Sequence, residues 1–407
     1  MKSAKSVLAA LVGVALTAVV PAATQAAPAA NAPVVLATTA DAVPGQYVVM
    51  LKPGVSASSV SATATSLSAI VDGKVVAEFS RSVRAFSVRT SEAKIGKLAA
   101  DTRVAGIYQD RKVHADTVQP IPAPPSSPWG LDRIDQRNLP LSRSYAYVRG
   151  ASNVRAYVID TGIRVTHTQF GGRATFGFTA TDLPQPGVDC HGHGTHVAGT
   201  IGGTTFGVAK LVRLVAVKVL DCLGEATFTQ VMEGVEWVTA NAVLPAVANM
   251  SLGGPRFAPL NAAVAGSIDS GVTYVVAAGN ENQSASNVSP ASTPAAITVG
   301  STGNATSSTT PATDARSFFS NFGQAVDLFA PGAFIRSTWN LSDTSTNTIS
   351  GTSMATPHVA GAAALYLGVF PTSIPETVRD ALILRSTKSK VTNPGTGSPN
   401  RLLYAYI

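Results

Sequence analysis

The chain has 407 residues, 45% of them hydrophobic and only 13% charged, with 35 glycines and 25 prolines. That composition excludes a disordered or coiled-coil protein and suits a loop-rich globular one with room for a large domain and a small one. The formal charge of +7 raises a nucleic-acid partner, but residues 1–116 carry 12 Lys+Arg against 7 Asp+Glu while the remainder carries 18 against 16. With the bulk near neutral and no basic run interleaved with aromatics, no nucleic-acid partner is expected.

In chain order, Lys2 and Lys5 precede an apolar run over 7–20, Pro21 breaks it, and small residues follow around Thr24-Gln25-Ala26. This reads as a signal peptide over 1–26, and it predicts a secreted, extracellular protein with no membrane attachment once the signal is removed. Export makes a disulfide permissible, and Cys190 and Cys222 are the two cysteines. Residues 27–43 are Ala/Pro/Thr-rich and read as disordered. GQYVVMLKPG (45–54) is a predicted strand, 56–70 a helix, VVAEF (75–79) and AFSVRT (85–90) strands, 91–101 a helix, and VAGIYQDRKVHA (104–115) a last strand. A β-α-β-β-α-β order predicts a small α+β, ferredoxin-like domain over 44–116. The Pro-rich stretch that follows makes 117–127 a stiff linker.

From 128 to 407, apolar β-branched strands at 153–160, 211–220, 246–253, 271–280, 295–301 and 325–332 alternate with helical patterns beginning near 194, 227, 259, 352 and 375. Near-continuous apolar strands covered by helices predict a mostly parallel sheet in a three-layer α/β/α domain.

Three stretches carry candidate chemistry. NVRAYVID places Asp160 at the carboxyl end of a strand, where α/β proteins set functional groups, although such an acid alone reads as a turn cap. DCHGHGTHVAG (189–199) holds Cys190, His191, His193 and His196, all possible zinc ligands. In the same stretch Gly192 and Gly194 flank His193, and His196 falls inside the predicted helix as a buried residue. ISGTSMATPHVAGAAAL (349–365) puts Ser353 at a glycine-led turn opening an Ala-rich helix, whose amide ends suit a developing anion. Alone it reads as an N-cap. Pro357 is expected in the first turn, where a missing donor costs little. Together, Asp160, His193 and Ser353 follow one of the chain orders of an Asp-His-Ser triad.

AYVIDTGI (156–163), GHGTHVAGT (192–200) and GTSMATPHVAG (351–361) resemble the three active-site signatures of subtilisin-like serine endopeptidases, the subtilases. PWGLDRIDQRNLPLS, KVLDCLGEAT, SLGGP and SPNRLLY are most similar to the proteinase K branch and its aqualysin-like secreted bacterial members, and the segment before the linker resembles the family's inhibitor-type prosegment. The resemblance implies a peptide-bond hydrolase with Ser353 as nucleophile, His193 as general base, Asp160 as its orienting acid and Asn280 as oxyanion donor. It implies no cofactor for the chemistry. Substrate would lie between Leu223-Gly224-Glu225-Ala226 and Ser251-Leu252-Gly253-Gly254, with Ala277, Ala278, Gly279, Val288 and Ser289 lining an uncharged pocket for an apolar or aromatic P1 residue. Glu225-Ala226 stands where relatives often have Ser-Gly, and Glu225 is expected to favour basic side chains nearby. A structural calcium site is implied at Asp327 with the carbonyls of Pro294 and Ala296, and a second at Asp132, Asp135 and Gln136 near Ser142. The resemblance further implies a Cys190–Cys222 bridge, and a prosegment that assists folding, blocks the cleft and is removed by self-cleavage. Partners are protein and peptide substrates and the prosegment itself; a monomer is expected. His191 stands where relatives usually have Asn, and its charge is expected to tune activity below about pH 6.5. A zinc hydrolase built on the histidine stretch, and an inactive peptide-binding relative, are the rival readings.

Overall fold

In the computed structural model, which describes residues 31–38, 40–115, 128–147, 150–183, 185, 187–304 and 312–406, the chain from Ala32 onward folds as one unit. The expected signal peptide (1–26) and the whole of the linker (117–127) lie outside the described residues. Strand β1 (Val34–Val35) precedes β2 (Ala42–Leu51), α1 (Val60–Ile70), β3 (Lys74–Phe79), β4 (Ala85–Arg89), the short α2 (Glu92–Ile95) and β5 (Val104–Ala115). Strand order β5-β2-β4-β3, all antiparallel, gives the small domain the ferredoxin-like arrangement. Tyr47, Val49, Leu67, Phe86, Val88 and Ile107 are fully buried between its sheet and helices. The reading of 27–43 as disordered is corrected in part. Val34 and Val35 pair in parallel with Ile107 and Tyr108, and β2 already begins at Ala42. Composition hid this because two ladder bonds to a strand edge require no amphipathic pattern.

The large domain continues with α3 (Trp129–Ile134), β6 (Arg155–Asp160), β7 (Ala174–Thr179), α4 (His193–Gly202), β8 (Arg213–Lys218), β9 (Glu225–Thr227), α5 (Phe228–Asn241), β10 (Ala246–Met250), β11 (Leu252–Pro255), α6 (Ala258–Asp269), β12 (Thr273–Ala277), β13 (Val288–Ser289), β14 (Ile297–Thr302), β15 (Leu328–Pro331), β16 (Ile335–Thr338), β17 (Thr346–Ile349), α7 (Thr352–Val369), α8 (Pro375–Arg385), β18 (Thr387–Lys388) and β19 (Arg401–Leu402). Nine strands form one sheet in the order β18-β19-β15-β14-β12-β10-β6-β8-β7, parallel except at β18–β19. Side chains from α4 and α7 pack on one face with Val158, Val247, Val275 and Val299, and α5 and α6 pack on the other with Ile159, Val217, Met250 and Val276. Burial on both faces explains why β10, β12 and β14 read as near-continuous apolar runs instead of alternating. Helix α5 begins with a reciprocal capping box: Gln230 N–H donates to the Thr227 hydroxyl, and Thr227 N–H donates to Gln230 Oε1.

A second sheet joins the two domains. Strand β5 of the small domain lies antiparallel to β9, with Val113 opposite Ala226 and His114 opposite Glu225, and antiparallel to β11, with His114 opposite Gly253 and Ala115 opposite Leu252. The carboxylate of Glu236 on α5 accepts from the N–H groups of Ser80, Arg81 and Ser82 at 2.8–2.9 Å and from the Ser82 hydroxyl at 2.6 Å. Buried Asp110 sits over the start of the same helix, where Thr229 Oγ1 donates to it at 2.5 Å and Gln46 Nε2 at 2.8 Å.

Candidate active site

The carboxyl end of β6 sets Asp160 beside the first residue of α4. His193 Nδ1 lies 2.8 and 2.9 Å from the two carboxylate oxygens, and both side chains are fully buried. This contact requires glycine at 194, since a Cβ there would fall 2.1 Å from the Gly162 carbonyl oxygen. Thr161 N–H donates to Asp160 Oδ1 at 2.7 Å. His193 Nε2 is buried and has no hydrogen-bond partner.

Ser353 is the second residue of α7. Its hydroxyl donates to the Ser251 carbonyl at 2.9 Å, and the Ser251 hydroxyl donates to the Ser353 carbonyl at 2.9 Å. The second bond corrects the expectation for Pro357. This proline is the sixth residue of α7, and its missing N–H takes a partner from the carbonyl four residues back, Ser353, which Ser251 then satisfies. Asn280 follows β12, and its Oδ1 accepts from Thr352 N–H at 2.9 Å and from the Thr352 hydroxyl at 3.0 Å. Ala277, Ala278, Ser289 and Leu252 are fully buried, and Val288 nearly so.

Sequence reasoning missed the residues that hold this arrangement. Asp189 accepts from Gly192 N–H (2.7 Å), Thr195 N–H (2.9 Å), the Thr195 hydroxyl (2.5 Å) and the Thr161 hydroxyl (2.9 Å), so one carboxylate fastens the start of α4 to the turn after Asp160. Lys218, fully buried, donates to the Thr161 and Leu220 carbonyls at 2.8 and 2.9 Å; burial lowers its pKa, opposed by nearby acids beginning with Asp189. A lysine ending an apolar strand and an aspartate before a cysteine are the only sequence signals of either.

The histidine stretch does not converge on a metal. Cys190 is bonded to Cys222, with Cα atoms 4.9 Å apart. His196 Nε2 donates to the Ile335 carbonyl at 2.9 Å, and burial pushes this histidine down to about 3. His191 is half-buried, and burial followed by the neighbouring His193 lowers its pKa, so the expected change of charge near pH 6.5 is displaced to lower pH. Among the described residues no three His, Cys, Asp or Glu side chains gather as a metal site.

The two expected calcium sites differ. Asp132 and Asp135 lie beside Gln136 and Ser142: Ser142 N–H donates to both Asp132 Oδ1 and Gln136 Oε1 at 3.0 Å, and Asp135 Oδ1 is buried with no partner. Burial raises the Asp135 pKa, and Asp132 raises it further. Two carboxylates, an amide oxygen and a hydroxyl, with one orphaned carboxylate oxygen, fit a hard divalent cation. Asp327 does not. Its Oδ1 accepts from Arg379 Nη2 at 2.6 Å and Nε at 3.0 Å, and its Oδ2 accepts from Thr298 N–H at 2.9 Å. A guanidinium already neutralises this carboxylate, and no second acid lines the cavity it shares with Pro294 and Ala296, so the described residues do not fit the expected calcium held by Asp327, Pro294 and Ala296.

The subtilase family model matches residues 152–402. The extracellular serine proteinase of Thermus sp. (strain Rt41A) is 46% identical over 397 residues, covering 93% of this chain and 94% of that one. A cold-adapted subtilisin-like serine proteinase of known structure is 52% identical, with a TM-score of 0.64 over 69% of this chain and 98% of its own. Fervidolysin from Fervidobacterium pennivorans, described as a keratinolytic enzyme related to subtilisin, is 21% identical with a TM-score of 0.73, covering 92% of this chain and 62% of its own, and shares the fold. With its expected signatures in the matched region, the chain is a serine endopeptidase and belongs to the subtilase family.

Proposed function

We propose that the chain is a secreted endopeptidase in which Ser353 Oγ attacks the scissile carbonyl, His193 Nε2 takes its proton and returns it to the leaving amine, and Asp160 holds the imidazole tautomer and stabilises the imidazolium. In the described geometry Ser353 Oγ rests on the Ser251 carbonyl, so the attacking rotamer forms when a substrate carbonyl engages. Asn280 donates to the oxyanion through Nδ2, the end of the amide opposite the oxygen that Thr352 holds, together with the Ser353 backbone N–H.

One observation carries this reading. The prosegment strand β5 lies as the middle strand between β9 and β11 and runs up to Ser251-Leu252, beside the nucleophile. A substrate would take the same path, pairing with Leu223-Gly224-Glu225-Ala226 and Ser251-Leu252-Gly253. Ala115 N–H already donates to the Gly224 carbonyl at 2.9 Å. The uncharged lining of Ala277, Ala278, Gly279, Val288 and Ser289 selects an apolar or aromatic P1 residue. The position held by His114, opposite Glu225, favours a basic one. The prosegment inhibits as a product-like strand and is removed by self-cleavage.

Asp132, Asp135, Gln136 and Ser142 would hold one calcium ion, which supplies positive charge between two carboxylates and takes no part in the chemistry. Secretion is supported by the Lys-led apolar N-terminus and by the extracellular relative; no helix of the described residues is long and apolar enough to cross a membrane.

The test is the Ser353→Ala variant, purified from a protease-deficient host. An unprocessed precursor is expected, together with modification of wild-type Ser353 by phenylmethylsulfonyl fluoride. Self-processing by the variant, or activity that survives the reagent and tracks bound zinc, overturns the reading.

A further inference from the structure

We infer that at Asp327 this chain has exchanged a bound metal for a covalently tethered cation: the guanidinium of Arg379 fills the place of a calcium ion. The carboxylate lies next to the start of β15 and is nearly buried, with 7% of its side chain exposed. A buried carboxylate needs a positive partner or several donors. Arg379 supplies both, through Nη2 and Nε on Oδ1, while Thr298 N–H holds Oδ2.

The surroundings argue the same way. The carboxylate opens on a cavity of about 310 Å³ whose lining includes Pro294, Ala296, Arg256 and Arg379, and Asp327 is the single acid among the described residues that line it. Arg401 approaches from the other side, its Nη1 donating to the Asp327 backbone carbonyl at 3.4 Å. The carboxylate is thus paired with one arginine, has a second at its backbone, and shares its cavity with a third. Calcium takes six to eight oxygen ligands and is favoured by accumulated negative charge. Here it would have to expel a charge-assisted fork, and its two positive charges would then sit beside the remaining guanidinium groups with one carboxylate to offset them.

The sequence marks the exchange at one place. Arg379 stands in the second turn of α8, PETVRDALILR, on the side that meets the sheet. A guanidinium carried on a helix cannot dissociate into solvent, so the link between α8 and β15 is independent of calcium concentration, whereas a bound ion stabilises only in proportion to its occupancy.

The experiment counts ions and reads no activity. Matured wild type, Asp327→Asn and Arg379→Ala, each inactivated with phenylmethylsulfonyl fluoride to stop autolysis, are equilibrated with millimolar calcium, and bound calcium is measured by equilibrium dialysis and atomic emission. Asp327→Asn is expected to bind as many ions as wild type, and Arg379→Ala one more, with a melting temperature that rises more steeply with calcium than that of wild type. Loss of one ion in Asp327→Asn shows that calcium already occupies the site and overturns the inference. Failure of Arg379→Ala to gain an ion overturns it too, because the arginine would then not be holding a cation's place. If Asp327→Asn does not fold, the comparison of Arg379→Ala with wild type decides alone, since a filled site has no ion to gain.

Discussion

A single amide decides how well the proposed oxyanion is met. Asn280 is oriented by two donors of Thr352, so its rotamer is set before substrate arrives. Asn280→Ala is expected to lower kcat roughly 10²–10³-fold with little change in KM, measured by steady-state peptide hydrolysis; the magnitude is the one found for removing such a donor from subtilisin, not one obtained from this geometry. Two buried histidines make a separate prediction about pH. Burial depresses His196 to about 3 and His358 to about 4, against an ordinary 6.5. Between those values the unfolded chain binds protons that the folded chain does not, so stability is fully present above about pH 6.5 and is lost as pH falls toward 4 and then 3. For His358 the difference is on the order of 3 kcal/mol. His358→Gln is therefore expected to flatten the dependence of melting temperature on pH between 6.5 and 4, read by calorimetry; an unchanged slope contradicts it. The proposed triad was legible because three short motifs carry it. Asp189, Lys218 and Thr352 were not, because a residue that acts by fastening two others shows its meaning only when both are in place.

At the scale of elements, the contact between the small domain, the proposed prosegment, and the large domain depends on close backbone approach. A Cβ at Gly266 on α6 would fall 1.9 Å from the Ser82 carbonyl oxygen, so a larger residue there must push the prosegment away. Gly266→Val is expected to reduce the yield of matured enzyme and raise the inhibition constant of prosegment added in trans at least tenfold, while peptide hydrolysis by the enzyme that does mature stays within about twofold. Asp110 adds a pH term to the same contact. Burial raises its carboxyl above the usual 3.8, with Thr229 and Gln46 opposing through hydrogen bonds. A raised carboxylate stabilises the complex most when protonated, so its contribution is present below about pH 4 and is lost as pH rises through the elevated value. Prosegment inhibition should weaken over that rise, and Asp110→Asn should remove this part of the dependence. Neither role could be read from sequence: Gly266 looks like an ordinary mid-helix glycine, and Asp110 like one charge in a polar strand.

For the whole molecule, the layered order was legible because every central strand is buried on both faces and its apolar run survives in the sequence. Helix α3 and the β16–β17 hairpin were not: LDRID carries charges that are spent inside, Arg133 on Asp314 at 2.7 Å and Asp132 on the loop at 142–143, and Ile335–Thr338 is polar because its hydroxyls serve the carbonyls of α4. The Cys190–Cys222 bridge closes a loop of 32 residues across one rim of the cleft. Chain-entropy arguments give about 3–4 kcal/mol as an upper bound, or roughly 10 °C at about 2–4 °C per kcal/mol. Reduction of the matured, inactivated enzyme should lower its melting temperature toward that limit; no change would show that the bridge constrains nothing that unfolds.

On the proposed maturation, strand β5 also determines what the mature cleft can accept. Its proposed departure would leave β9 and β11, three and four residues long, facing each other across a gap one strand wide. A chain enters that gap only when several consecutive residues have given up their own ladder or helix partners. The enzyme would therefore sort proteins by the free energy of their local openings as well as by side chain, cutting fraying ends and loosely held loops long before a packed strand of suitable sequence.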